Sequence, residues 1–267
     1  MLRVGTLGEL VHDDAVALDV TVDGWEDAVR HAGRLLERVE VAGAAYTQSM
    51  IDSVHEKGPY IVIAPGFAFA HARPSEAVLR TGMSWVRLAE PVEFGHDRND
   101  PVTLVVALAA KDADAHQAAM AELATVIADP ERKAALDAAA TPDEVLELLR
   151  GGGDEAAPEP QPERARQRRR GSTRNHILTV CGNGVGTSLF LKNTLEKVLD
   201  QWGWGPYITV EATDTVSARG KAKEADLIMT SAEIGRALGD LGVPMRIIDD
   251  FTSTKEIDAA LRASYDV

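Results

Sequence analysis

Cysteine is almost missing from this chain. A single thiol, Cys181, serves 267 residues. One cysteine excludes an internal disulfide framework and suits a reducing compartment. Basic side chains are also in deficit, with 28 Lys and Arg against 42 Asp and Glu, a net charge of −14. That balance argues against general nucleic-acid binding but leaves a membrane-protein partner open. Long apolar runs are lacking as well. The longest, Tyr60 to Ala70 and Thr103 to Ala110, are too short to cross a bilayer. No basic-then-apolar leader opens the chain. No His, Cys, Asp or Glu cluster has metal-ligand spacing, so no metal is expected, and the residues call for no organic cofactor. No internal repeat is visible.

What is present suffices for two ordinary cores. Hydrophobic residues make up 45% of the sequence, and the length favours two domains. The break between them is GGGDEAAPEPQPERARQRRRGST, residues 151–173. It lacks apolar periodicity, is rich in Pro and Gly, and separates an acidic block from a basic one. This composition is that of a linker. Its tract Arg164 to Arg170 reads as solvated rather than lipid- or nucleic-acid-binding, because no aromatic residue or apolar face accompanies the charge. The expected division is residues 1–150, the linker 151–173, and residues 174–267.

The second half opens on ILTVCGNGVGTS, Ile177 to Ser188. Ile177 to Val180 is a β-branched run and reads as a buried strand. Gly182, Gly184 and Gly186 break regular structure, and from Ser188 leucines and valines recur at helical spacing. A glycine-rich turn at a helix start points N–H groups inward and favours an anion, and the same field makes a thiol a better nucleophile. Gly182, Asn183, Gly184, Val185, Gly186, Thr187 and Ser188 are therefore candidate phosphate-binding residues, with Cys181 placed to accept a phosphoryl group. The plain alternative is a structural cysteine at a strand end. The spacing lacks the last glycine of a dinucleotide fingerprint and the lysine of a Walker loop. Thr187 stands where a cysteine phosphatase would carry arginine, so the loop lacks a bidentate clamp. Further on, strands at Tyr207–Glu211, Leu227–Thr230 and Met245–Ile248 alternate with helices, which predicts a parallel, doubly wound sheet. Cys181 then sits at the ligand-binding edge of such a sheet.

VCGNGVGTSLFLK resembles the phosphocysteine loop of the enzyme IIB component of the sugar phosphotransferase system, ascorbate-type branch. The resemblance spans about Asn175 to Val267 and implies that Cys181 is the phosphorylated residue.

In the first half, strands are expected at Val16–Val22, Tyr60–Ala64, Met83–Leu88 and Val102–Leu108. Helices are expected from Trp25, over Tyr46–Val54, His116–Ile127, Pro130–Ala139 and Pro142–Leu149. A chemical segment interrupts them: the apolar run to Phe69 ends in Ala70-His71-Ala72-Arg73-Pro74. His71 suits a nucleophile at the mouth of a sheet, and equally a hydrogen-bonded strand-end histidine. Arg73 could balance phosphoryl charge. His116 could be brought beside His71 to orient and compensate a phosphohistidine, although its place near a helix start reads as water-exposed. His12, His31, His55, His96 and His176 lack comparable settings.

GPYIVIAPGFAFAHARP resembles the phosphorylation segment of enzyme IIA domains of the mannitol–fructose class, closest to ascorbate-type members, over about Leu7 to Leu149. It departs at Ala70, where members often carry proline. The resemblance implies that His71 is phosphorylated and that His116 is its partner imidazole. Together the two resemblances imply an α/β chain of two domains: an N-terminal mixed-sheet IIA-like domain and a C-terminal parallel doubly wound IIB-like domain. They imply a phosphotransferase taking phosphate from the phosphocarrier HPr through His71 and Cys181 to a sugar, ascorbate-like, at a separate membrane IIC permease. The chain would be cytoplasmic, peripheral to the membrane through that partner. A regulatory phosphoprotein of the same system and a small cysteine phosphatase are the alternatives.

Overall fold

The computed structural model describes residues 7–127, 129–151, 176–181 and 186–265. The linker expected at 151–173, with its basic tract, and the loop residues Gly182, Asn183, Gly184 and Val185 lie outside the described residues, apart from Gly151. The first half runs α1 (Leu7–Leu10), β1 (Val11–Val20), α2 (Trp25–Arg38), α3 (Ala44–Lys57), β2 (Val62–Ala64), β3 (Phe67–His71), β4 (Gly82–Val92), β5 (Val102–Ala109), α4 (Ala113–Ile127), α5 (Pro130–Ala138) and α6 (Pro142–Arg150). Its sheet has the order β1-β4-β5-β3-β2. β1 runs parallel to β4 and β3 parallel to β5, while β4–β5 and β2–β3 are antiparallel, so the sheet is mixed. β1 starts five residues before the expected Val16. Its register with β4 shifts between Val11 and Val16, and its burial pattern is irregular there. A bulged stretch through His12, Asp13 and Asp14 shows no period-two alternation, which hides it in the sequence.

Strand periodicity decides what each face of this sheet carries. Along β3, Ala68 and Ala70 join the core under α2 and α3, with Val29, Leu36, Tyr46 and Met50. Phe67 and Phe69 join the opposite core, with Met120 and Leu123 of α4 and Leu146 of α6. Small residues on one face let the helix pair approach closely, and large rings fill the other. β2 and β3 are joined by Pro65-Gly66, with Ala64 opposite Phe67. Gly66 has φ 74°, a conformation that glycine adopts without steric cost.

The second half runs β6 (His176–Cys181), α7 (Gly186–Gln201), β7 (Thr209–Asp214), α8 (Thr215–Lys221), a 3₁₀ turn, β8 (Leu227–Thr230), α9 (Ala232–Leu238), β9 (Met245–Ile247) and α10 (Thr254–Tyr265). Its sheet is all parallel, in the order β7-β6-β8-β9. Ile177 packs with Leu191 and Leu195 of α7 and Leu261 of α10. Leu178 and Val180 face Ala218 of α8 and Ile234 of α9. Helices therefore cover both faces, as buried parallel strands require.

The two halves share a core. Phe190 of α7 meets Phe67 at 6.4 Å and Phe69 at 5.8 Å between ring centroids. Rings at these separations and tilts make favourable aromatic pairs.

Candidate active site

His71 ends β3, directly beside Leu108 near the end of the parallel strand β5. The chain leaving β5 turns at once into α4, which carries His116. Parallel pairing thus delivers both imidazoles to one end of the sheet. A buried tyrosine fixes that end. The Tyr46 hydroxyl lies 2.9 Å from Ala72 O and 2.8 Å from Leu108 O, and accepts from Ala72 N–H at 3.1 Å. It therefore ties the residue after His71 to the strand leading to His116. Burial pushes the Tyr46 phenol up to about 12, so it stays a neutral donor at all working pH values.

His71 is fully buried at 0% exposure. Its Nδ1 lies 3.0 Å from Phe69 O. A carbonyl can only accept, so Nδ1 carries the proton and the neutral ring's lone pair resides on Nε2. The ring stacks on Phe69 at 5.3 Å, meets Tyr60 edge-on at 5.9 Å and lies 5.6 Å from the His116 ring. This is a rigid imidazole with its nucleophilic nitrogen chosen by the backbone.

His116 corrects one expectation: it is not water-exposed. It is 6% exposed, because α4 packs its inner face into the shared core. Neither ring nitrogen has a hydrogen-bond partner. Burial, reinforced by His71, drives its pKa from 6.5 down to about 3. The ring is therefore neutral at rest. Its folded pKa lies below the unfolded value, so the unfolded chain binds the proton first, and stability is lost as pH falls from 6.5 towards 3. Between pH 7.5 and about pH 5 this site alone should cost about 2 kcal/mol. Urea denaturation at the two pH values should show His116→Gln losing about that much less stability than wild type. Equal losses would contradict the burial of a neutral ring.

Cys181 is the last residue of β6, in register with Asp214 of β7, and is 1% exposed. Its Sγ–H donates to Ser188 Oγ at 3.5 Å. Once the thiol ionises, the hydroxyl can rotate and donate to the sulfur instead. Thr179 Oγ1 donates to Ser188 O at 3.0 Å, and Thr230 Oγ1 donates to Val180 O at 2.7 Å. These two threonines hold the strand end and the first turn of α7 in fixed relation. Thr187 and Ser188 are both buried, and Gly186 opens α7. Asp214 caps α8 by accepting from Val216 N and Ser217 N at 2.8 Å each.

An aromatic file runs from His71 to Phe69 and on to Phe190, two residues after Ser188, the partner of Cys181. Lys57, at the end of α3, was not singled out by sequence reasoning. Its Nζ lies 5.8 Å from the Tyr60 ring. Burial lowers its pKa, Glu56 opposes that, Arg73 adds to it, and Cys181 opposes it. Lys57 thus feels charges from both halves. Arg73 is exposed. Among the described residues, no three His, Cys, Asp or Glu side chains could hold a metal ion, and no helix is long and apolar enough to cross a membrane.

Comparison with known proteins agrees with this layout. Residues 9–151 match the family model "Phosphoenolpyruvate-dependent sugar phosphotransferase system, EIIA 2". Residues 176–263 match "PTS system, Lactose/Cellobiose specific IIB subunit". The ascorbate-specific PTS system EIIA component of Escherichia coli is 39% identical over 141 residues, which are 52% of this chain and 92% of that protein. Its counterpart in Salmonella typhimurium is 38% identical over the same span and shares. The solution structure of the mannitol-specific cryptic phosphotransferase enzyme IIA from Escherichia coli superimposes with a TM-score of 0.51 at 28% identity. It covers 55% of this chain and 100% of that one.

Proposed function

This chain belongs to the phosphoenolpyruvate-dependent sugar phosphotransferase system EIIA 2 family, and we propose that it relays phosphate from HPr to His71, then to Cys181, then to a sugar on a membrane IIC protein. Its IIB-type match over residues 176–263 makes it a fused phosphotransferase with both kinds of carrier in one chain. Residues 1–150 and 174–267 act as the two carriers, and the Pro- and Gly-rich stretch 151–173 tethers them. The sugar is ascorbate-like, the specificity named for the EIIA relatives at 38–39% identity. The protein works at the cytoplasmic face, peripheral to the membrane through the IIC partner.

One observation supports this reading: His71 stacks on Phe69, which meets Phe190 of the second half, and Lys57 of the first half feels the charge of the buried Cys181. In the first step Nε2 of His71 attacks phosphorus, and the donor's P–N bond breaks. Nδ1–H keeps its proton and goes on donating to Phe69 O, so the product imidazole remains oriented. His116, neutral beforehand, takes a proton from solvent while the site is open to the phosphocarrier, as the phosphoryl dianion arrives beside it. In the second step the Cys181 thiol has given its proton to solvent while the halves were open, before they close on the phosphohistidine. The thiolate attacks in line, an S–P bond forms, the Nε2–P bond breaks, and the nitrogen recovers its lone pair. Lys57, Arg73, Thr187, Ser188 and the glycine loop 182–186 supply positive charge and N–H groups to the moving phosphoryl.

The test is phosphopeptide mapping after incubation with phosphoenolpyruvate, enzyme I and HPr. Phosphate is expected on His71 and Cys181. Phosphate on His116 in place of His71, or none on Cys181, would overturn the assignment.

A further inference from the structure

The relay needs two incompatible arrangements. His71 and Cys181 are 0% and 1% exposed. In this arrangement no phosphocarrier can reach Nε2, and no sugar can reach the sulfur. This closed state must open for loading by the phosphocarrier and for transfer to the sugar. Something must then restore the same closed register on every cycle.

The edge of the first sheet shows what does so. β2 is an edge strand, and its backbone groups would otherwise face water. Here the loop after β9 lies along it. Phe251 N–H donates to Ile63 O at 3.0 Å. The Asn99 side-chain amide donates to Val62 O at 3.3 Å and to Asp249 O at 2.7 Å. Arg98 Nη1 pairs with an Asp249 carboxylate oxygen at 2.7 Å. Each partner is braced on its own side. The Glu256 carboxylate accepts from Asp249 N at 2.8 Å and Asp250 N at 2.9 Å. Asp100 Oδ2 accepts from Phe94, Gly95 and His96 N–H at 2.6–2.9 Å, and His96 Nδ1 accepts from Asn99 N–H at 3.1 Å. Beside this seam a cleft of about 420 Å³ remains open between the halves, lined by Arg98, Glu233 and Asp249 among others.

We propose that Asn99, seconded by the Arg98–Asp249 pair, is the positioning residue that sets Cys181 in register with His71 each time the halves close. This rests on the relay proposed above. A continuous hydrogen-bonded path supports it: Cys181 on β6, β6 on β8, β8 on β9, the β9 loop on β2, and β2 paired with β3, which ends in His71. A slip of one residue along β2 would displace the thiolate by about 3.3 Å. In-line attack needs the reacting atoms roughly 3–3.5 Å apart, so such a slip would stop transfer. The seam is also small enough to break. It adds a few hydrogen bonds and one ion pair whose arginine is 70% exposed beside the Phe67–Phe69–Phe190 core, so it sets the register of closure and supplies little of the hold.

The experiment is rapid-quench labelling of the full chain by phospho-HPr, with His71 and Cys181 phosphate counted separately. Asn99→Asp keeps the shape, removes both N–H donors and sets a carboxylate against two carbonyl oxygens. It should slow His71-to-Cys181 transfer about ten-fold or more, while phospho-HPr loads His71 as fast as in wild type or faster. Because Asn99 also braces its own loop, Arg98→Glu is the second variant; it changes only an exposed side chain. It should slow transfer several-fold, and Arg98→Glu with Asp249→Arg should recover it. Transfer unchanged in both single variants, or loading lost in step with transfer, overturns the proposal. A wild-type chain that takes no phosphate on His71 overturns the relay itself, and the proposal with it.

Discussion

Replacing His71 by alanine leaves the whole chain unlabelled by phospho-HPr. The expected loss is complete, because Cys181 has no other route to phosphate. Nε2 of His71 is held in its nucleophilic tautomer by the Phe69 carbonyl. The neighbouring His116 is an imidazole too, but it lacks an orienting carbonyl and is driven down to about 3 by burial. A weakly basic, unoriented ring does not substitute for a positioned nucleophile. The fold should survive, since the Tyr46 bonds that fix this strand end use backbone atoms of Ala72 and Leu108. Label on Cys181 in this variant would show direct loading and overturn the order of transfer.

Replacing Cys181 by serine has the opposite signature. His71 should load normally and then hold its phosphate, while sugar phosphorylation falls roughly a thousand-fold or more. Serine is close in size, so the buried strand end and its contact with Ser188 persist. What changes is ionisation: a thiolate forms readily near neutral pH and a serine alkoxide does not. Phosphohistidine should therefore accumulate to nearly one per chain. Normal turnover to sugar would remove Cys181 from the path.

Much of this was legible in the residues. β-branched runs, glycine breaks and helical spacing located most elements of both halves; β3 (Phe67–His71), five residues straight after the Pro65-Gly66 turn, is not among the expected strands. Mixed and parallel sheets appear where the two resemblances placed them. Three further things were not legible, each for a physical reason. Tyr46 reads as an ordinary core aromatic, because its hydroxyl's partners, Ala72 and Leu108, lie 26 and 62 positions away. Asn99 sits in a polar turn, and its amide finds Asp249 across 150 positions. His116 stands near a helix start, a place that reads as wet, and it is dry because it lies against the buried His71 ring while α4 packs into the core. Local patterns report on faces and turns. They carry no information about which distant backbone carbonyl a side chain will meet.

In the proposed relay one chain carries phosphate from His71 to Cys181 within itself. Rapid quench of single-turnover transfer, after loading His71 by phospho-HPr, tests it most directly. Residues 151–173 act as a tether in this account, holding one site at a millimolar-order concentration around the other. The rate constant for His71-to-Cys181 transfer should then stay constant across roughly a hundred-fold range of protein concentration near micromolar. A rate that rises in proportion to protein concentration would mean exchange between chains and would contradict the account.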